Sequence, residues 1–90
     1  MGGIGMEVIY YSKDHCSLCE KGKKVLDQLG LNYRTLDIYQ DDELLEVYMF
    51  RIPVVMINGQ VADEGILSYD KLNGVIQSIN QAHNSSNEKN

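Results

Sequence analysis

Residues 53–63 constrain this 90-residue chain more than any other stretch. Pro53 opens Val54-Val55-Met56-Ile57, an unbroken apolar run of the kind found in a central strand. Asn58-Gly59 follows directly. Both residue types accept the positive φ of a two-residue hairpin turn, so Gln60 to Asp63 is expected to pair back antiparallel. Proline donates no ladder hydrogen bond, which places Pro53 at the entry of the strand and not inside it. The chain is thereby committed to a sheet, and its other elements must pack on or beside this hairpin.

Those elements follow from punctuation and periodicity. Met6 to Tyr11 is β-branched and aromatic and reads as a strand. After the polar break Ser12-Lys13-Asp14-His15, a helix is expected to start at or just before Cys16. Leu18, Val25, Leu26 and Leu29 form its apolar side, with small Gly22 between them and Gly30 as the stop. Tyr33 to Ile38 alternates as a second strand. Asp41 or Asp42 caps a second helix reaching about Met49, with Leu44, Leu45, Val47 and Tyr48 as its apolar side. Ser68 or Asp70 starts a last helix in which Leu72, Val75, Ile76 and Ile79 repeat at helical spacing. From His83 the chain is polar, and residues 83–90 are expected to be a disordered tail to a single domain at 6–82. The order β-α-β-α-β-β-α belongs to the α/β class. The alternation implies that the first three strands pair parallel through right-handed crossovers, with the hairpin adding an antiparallel strand. A four-stranded mixed sheet flanked by three helices results.

Composition excludes several functions. Eight Lys and Arg against thirteen Asp and Glu give a net charge of -5, so nucleic acid held by a general positive field is not expected. No apolar run approaches the ~18 residues that span a bilayer, and no signal-peptide core follows the start. Gly2 precedes Met6, where a myristoylation motif wants Ser or Thr, and the sequon Asn84-Ser85-Ser86 has no meaning without secretion. The chain reads as a soluble, monomeric, cytoplasmic protein with no nucleic-acid or membrane partner.

The chemistry concentrates in Cys16-Ser17-Leu18-Cys19, which holds both cysteines. Two thiols make no disulfide framework, and a closed zinc site needs two more ligands, for which His15 stands too close to Cys16 and His83 too near the end. No metal ligands are assigned, and the pair reads as redox chemistry or as a two-coordinate soft-metal site. Only a thiolate attacks a disulfide. At a helix N-terminus Cys16 meets unpaired N–H groups and the positive end of the dipole, and Lys13, Lys21, Lys23 and Lys24 add positive potential. Asp14 and Glu20 oppose them; on balance a lowered thiol pKa is expected. Cys19, one turn on and on the same face, can reach the Cys16 sulfur. Cys16 is therefore read as the attacking thiol and Cys19 as the resolving thiol.

Lys13-Asp14-His15-Cys16-Ser17-Leu18-Cys19, following Tyr10-Tyr11, resembles the active-site loop of glutaredoxins, usually Lys-x-x-Cys-Pro-Tyr-Cys. Ile52-Pro53-Val54-Val55 is similar to their Thr-Val-Pro segment, whose proline is cis and faces the cysteines. Glu64-Gly65 is similar to the hairpin end of small bacterial glutaredoxin-like proteins. The resemblance spans residues 6 to 80 and implies a thioredoxin-like fold and a dithiol thiol–disulfide oxidoreductase. It implies catalytic Cys16 and Cys19, and substrate binding by Lys13, Ile52, Pro53, Glu64 and Gly65, with Ile52 offering backbone N–H and C=O to an extended substrate. The implied substrates are protein disulfides or glutathione mixed disulfides, with glutathione or a thioredoxin reductase as electron donor. No tightly bound cofactor is implied, and glutathione is a candidate co-substrate.

This chain departs from the pattern at Ser17 and Leu18. It also has Asp63-Glu64-Gly65-Ile66-Leu67-Ser68 where most glutaredoxins have a Gly-Gly-x-Asp turn holding the glutathione carboxylate and amine. The alternatives are a metal-handling module, either a glutaredoxin dimer bridging an iron–sulfur cluster or a Cu(I) carrier, and a thioredoxin-fold binding protein with idle thiols. Arg51 is read either as steering an anionic substrate or as solvated surface. The acids Asp37, Asp41, Asp42, Glu43 and Glu46 are read as a solvated helix start or an acidic face for a reductase. His15 is a candidate for tuning the thiols, and Tyr11 is the one tyrosine placed near them.

Overall fold

The hairpin forms in the computed structural model, which describes the backbone of residues 6–88 and the side chains through residue 81. Strand β3 (Val54–Ile57) turns through Asn58 and Gly59, at φ 53° and 83°, into β4 (Gln60–Glu64). The other elements are β1 (Val8–Ser12), α1 (Ser17–Gln28), β2 (Arg34–Asp37), a 3₁₀ turn (Ile38–Gln40), α2 (Asp42–Tyr48) and α3 (Tyr69–Glu88). The sheet order is β2-β1-β3-β4. This is a thioredoxin-like fold, a mixed four-stranded sheet with three helices. The polar segment from His83 carries α3 on to Glu88. No helix among the described residues is long and apolar enough to cross a membrane.

One expected pairing is corrected. β1 and β2 are parallel, but β3 runs antiparallel to β1, not parallel. Asp37, the end of β2, lies opposite Ser12, while Val54, the start of β3, lies opposite Tyr11. The chain therefore leaves and re-enters the sheet at the same end. A parallel crossover must carry it back to the other end. Here α2 has seven residues, about 10 Å of rise, and the turn after it returns the chain toward the Ser12 end.

Alternation along the strands divides the core into two layers. Val8 and Tyr10 of β1, with Val55 and Ile57 of β3, face Leu26 of α1 and Leu72 of α3. Tyr11 and Val54 face the other way, onto Ile38, Leu44, Leu45 and Tyr48 around α2. Two side chains assigned to apolar faces lie outside them. Leu18 is 39% exposed because it falls in the first turn of α1, beyond the sheet end, and Val47 is 52% exposed on the outer side of α2.

Capping sets the helix starts. Asp41 accepts from the N–H groups of Glu43 (2.9 Å) and Leu44 (3.2 Å), and the Ser68 hydroxyl accepts from Lys71 N–H (3.1 Å). Buried Asp63 ties β4 to α3: it accepts from Glu64 N–H (2.9 Å) and Ser68 N–H (2.8 Å), and Lys71 Nζ lies 3.2 Å away. These bonds satisfy a carboxylate that would otherwise be costly to bury.

Gly22 lets α1 close onto the sheet. A Cβ there would overlap the Tyr10 hydroxyl oxygen and come within 2.8 Å of Leu67 Cδ1. Tyr10 is 1% exposed and cannot swing aside. Alanine normally favours a helix interior over glycine by about 0.5–1 kcal/mol, whereas overpacking a core costs about 1–3 kcal/mol. Gly22→Ala is expected to lower the thermal unfolding midpoint; a midpoint equal to or above that of the parent protein would refute this account of the packing.

Candidate thiol site

The site is built where β1 hands over to α1. After Ser12 the chain turns through Asp14 and His15, and His15 adopts φ 55°, a left-handed conformation that histidine tolerates better than most residues. Cys16 then takes an extended backbone, φ -123° and ψ 107°, and caps the helix itself: its Sγ accepts from Cys19 N–H at 3.2 Å. Its carbonyl accepts from Glu20 N–H at 3.1 Å. One of the unpaired donors of the first turn is therefore aimed at sulfur.

The two thiols are free and occupy different environments. Cys16 is half-buried, whereas Cys19 is 4% exposed. Burial, with the hydrogen bond to Cys16 next, pushes the Cys19 thiol from an ordinary 9.0 up to about 12. Beneath it the Tyr10 hydroxyl donates to the Cys19 carbonyl at 2.7 Å. Burial under α1 raises the Tyr10 phenol far above its ordinary 10.0.

The sheet register gathers the remaining sequence-predicted residues at the same end. Tyr11 is opposite Val54, and Val54 is opposite Glu64, so Lys13, the Ile52-Pro53 peptide and Glu64-Gly65 sit on adjoining chain segments. The Ile52-Pro53 bond is cis and Pro53 is buried, its carbonyl accepting from Gly65 N–H at 2.8 Å. Gly65 holds φ 74°, where any side chain is strained. Ile52 departs from its expected role in one respect. Its N–H donates to Tyr48 C=O at 3.1 Å, because the segment leaving α2 closes a last turn, so a substrate would have to compete for it.

Arg51 is engaged as well. Its Nη2 lies 2.6 Å from Glu64 Oε1, and its Nε lies 3.2 and 3.3 Å from the two carboxylate oxygens. Its guanidinium carbon is 5.1 Å from the Tyr48 ring centroid, and Tyr48 in turn stacks on Tyr11 at 4.7 Å. The guanidinium holds the Glu64 carboxyl below its ordinary range. No periodicity in the sequence links positions 51 and 64; only the hairpin register brings them together.

Sequence reasoning also missed an apolar rim. Phe50 is 91% exposed and Ile66 82% exposed, on the segments just before the cis bond and just after Gly65, with Leu18 between the cysteines. The available signal was the position of Phe50 and Ile66 outside every periodic element. A groove of about 350 Å³ lined by Ile57, Val61, Val75 and Ile79 lies at the opposite end of the sheet and does not touch the thiols. Among the described residues no three His, Cys, Asp or Glu side chains cluster as metal ligands.

Comparison places this arrangement among known proteins. The sequence profile of the glutaredoxin-like domain (DUF836) matches residues 7–77. No curated protein matches significantly. Protein Ne2328 from Nitrosomonas europaea superposes with a TM-score of 0.70 at 20% identity, over 78% of this chain and 89% of that one. A mutant thioredoxin from Halobacterium salinarum gives 0.62 at 20% identity, over 82% and 74%. A buckwheat glutaredoxin in complex with glutathione gives 0.54 at 25% identity, over 81% and 70%. The first two likenesses concern the fold alone.

Two outcomes follow from the environments of these groups. At neutral pH, iodoacetamide should modify Cys16 and leave Cys19 unmodified until the protein is denatured; peptide mass spectrometry showing equal labelling would refute the assignment. Stability should also fall with alkalinity. Cys19 and Tyr33 are each raised to about 12, in both cases chiefly by burial, from ordinary values of 9.0 and 10.0, and Tyr10 higher still. The unfolded chain thus releases these protons first and binds fewer, so stability is intact below about pH 9 and declines as pH rises toward 12. Urea unfolding at about pH 8 and about pH 10.5 measures this, and an unchanged midpoint would contradict it.

Proposed function

The chain belongs to the glutaredoxin-like domain family, and from that premise we propose that it is a dithiol thiol–disulfide oxidoreductase acting on protein disulfides or glutathione mixed disulfides. The observation that carries this reading is the asymmetry of the pair. A half-exposed sulfur caps a helix and accepts a backbone N–H, with a second thiol buried one turn behind it.

In the first step the Cys16 thiolate attacks one sulfur of the substrate disulfide. A Cys16–substrate S–S bond forms, the substrate S–S bond breaks, and the other sulfur leaves as thiolate. Cys19 then gives up its proton to solvent and attacks Cys16 Sγ. The Cys16–Cys19 bond forms, the bond to the substrate breaks, and the second substrate sulfur leaves as thiolate. The protein is oxidised by two electrons and the substrate reduced by two. The high proton affinity of Cys19 keeps it protonated until the mixed disulfide forms, so only one sulfur of the pair competes for the incoming disulfide. Two glutathione thiols, or a thioredoxin-type reductase, are proposed to return the two electrons; the buckwheat relative's complex with glutathione supports the former as a candidate co-substrate. The cis Ile52-Pro53 segment beside the helix tip is the proposed seat for the substrate chain, through the Ile52 carbonyl.

Cys16→Ser should reduce turnover of bis(2-hydroxyethyl) disulfide to background. Cys19→Ser should accumulate a one-to-one mixed disulfide on Cys16, visible by non-reducing mass spectrometry. Undiminished turnover in both variants, or none in the parent protein, would leave the idle-thiol alternative.

A further inference from the structure

We propose that Glu64 is a specificity-determining residue: by clamping Arg51 it turns the thiol site away from anionic disulfides and toward uncharged ones. The inference rests on the redox reading for its biological meaning, while its charge effect can be measured without turnover.

Arg51 stands two residues before Pro53, at the end of the sheet where Cys16 lies. A free guanidinium there would raise the local concentration of anions. Its fork is instead filled by the Glu64 carboxylate, with contacts from Nη2 and Nε, and its face is laid against Tyr48. The pair sums to zero charge. Its side chains remain 39% and 40% exposed, so it faces solvent and is not buried scaffolding. The residues flanking it point the same way. Phe50, next to Arg51, and Ile66, two residues after Glu64, are the most exposed large apolar side chains among the described residues. An uncharged, apolar polypeptide segment bearing a disulfide suits this lip, whereas glutathione disulfide carries several carboxylates and meets an arginine already occupied by one.

An exposed ion pair contributes little to stability, so Glu64→Gln should fold normally while releasing Arg51. The primary readout is alkylation of Cys16 by iodoacetate, an anion, and by iodoacetamide, its neutral counterpart. Glu64→Gln should raise the iodoacetate-to-iodoacetamide rate ratio by about threefold to tenfold, an effect that shrinks at high salt. Glu7→Gln removes the same charge at the opposite end of the sheet and should leave the ratio alone. Arg51→Gln/Glu64→Gln should return the ratio to the parent value; Lys13 is common to all variants and cancels. The second readout is the turnover ratio of glutathione disulfide to bis(2-hydroxyethyl) disulfide, which should rise in Glu64→Gln in the same sense. An unchanged alkylation ratio, or an equal rise in the double variant, would overturn the inference. A shifted alkylation ratio with no turnover of either disulfide would uphold it and remove the redox reading instead. Turnover with unchanged ratios would do the reverse.

Discussion

The phenol of Tyr10 lies in the space that glycine leaves at position 22 and donates its proton to the carbonyl of Cys19. A buried phenol needs a partner for its hydroxyl, and here the partner is the first turn of the helix that carries both thiols. β1 is a central strand, paired with β2 on one side and β3 on the other. The helix tip is therefore referenced to the middle of the sheet and not to a flexible loop. Any residue larger than glycine at 22 would lift α1 and with it the sulfur at its tip.

From that placement one turn of helix makes two thiols chemically unlike. Cys16 stays at the boundary with solvent and uses its sulfur as a cap, while Cys19 is drawn under the helix, where burial disfavours its anion. An accessible thiol and a sheltered one follow from position alone. Around the pair the hairpin supplies the other wall. Pro53 and Gly65 are joined by a backbone hydrogen bond, and Arg51, paired with Glu64, lies over Tyr48, which stacks on Tyr11. The Arg51–Glu64 pair is electrically balanced although the chain as a whole carries a net charge of -5.

Much of this was legible in the residues. Asn58-Gly59 named its turn, Asp41 and Ser68 stood among the candidates for the helix starts, and the cysteines after a Tyr-Tyr strand marked the start of α1. Each of these is a local signal, decided by backbone conformation or by a side chain bonding within a few residues of itself. The direction of β3 was not legible, because alternation of strands and helices does not say at which end of the sheet a short helix returns the chain. Leu18 and Val47 matched a helical apolar pattern and still lie outside the core, since periodicity says which residues share a face and not how far the opposing layer extends.

The sequence by itself determined the strand and helix segments, the hairpin, and a pair of thiols one turn apart at a helix start, because all of these are settled by interactions within a few residues along the chain. The tertiary structure alone decided that the Ile52 N–H is spent on α2, that Arg51 is neutralised by Glu64, and that Phe50 and Ile66 stand exposed. These depend on register and layer packing, which bring together groups that no local pattern relates.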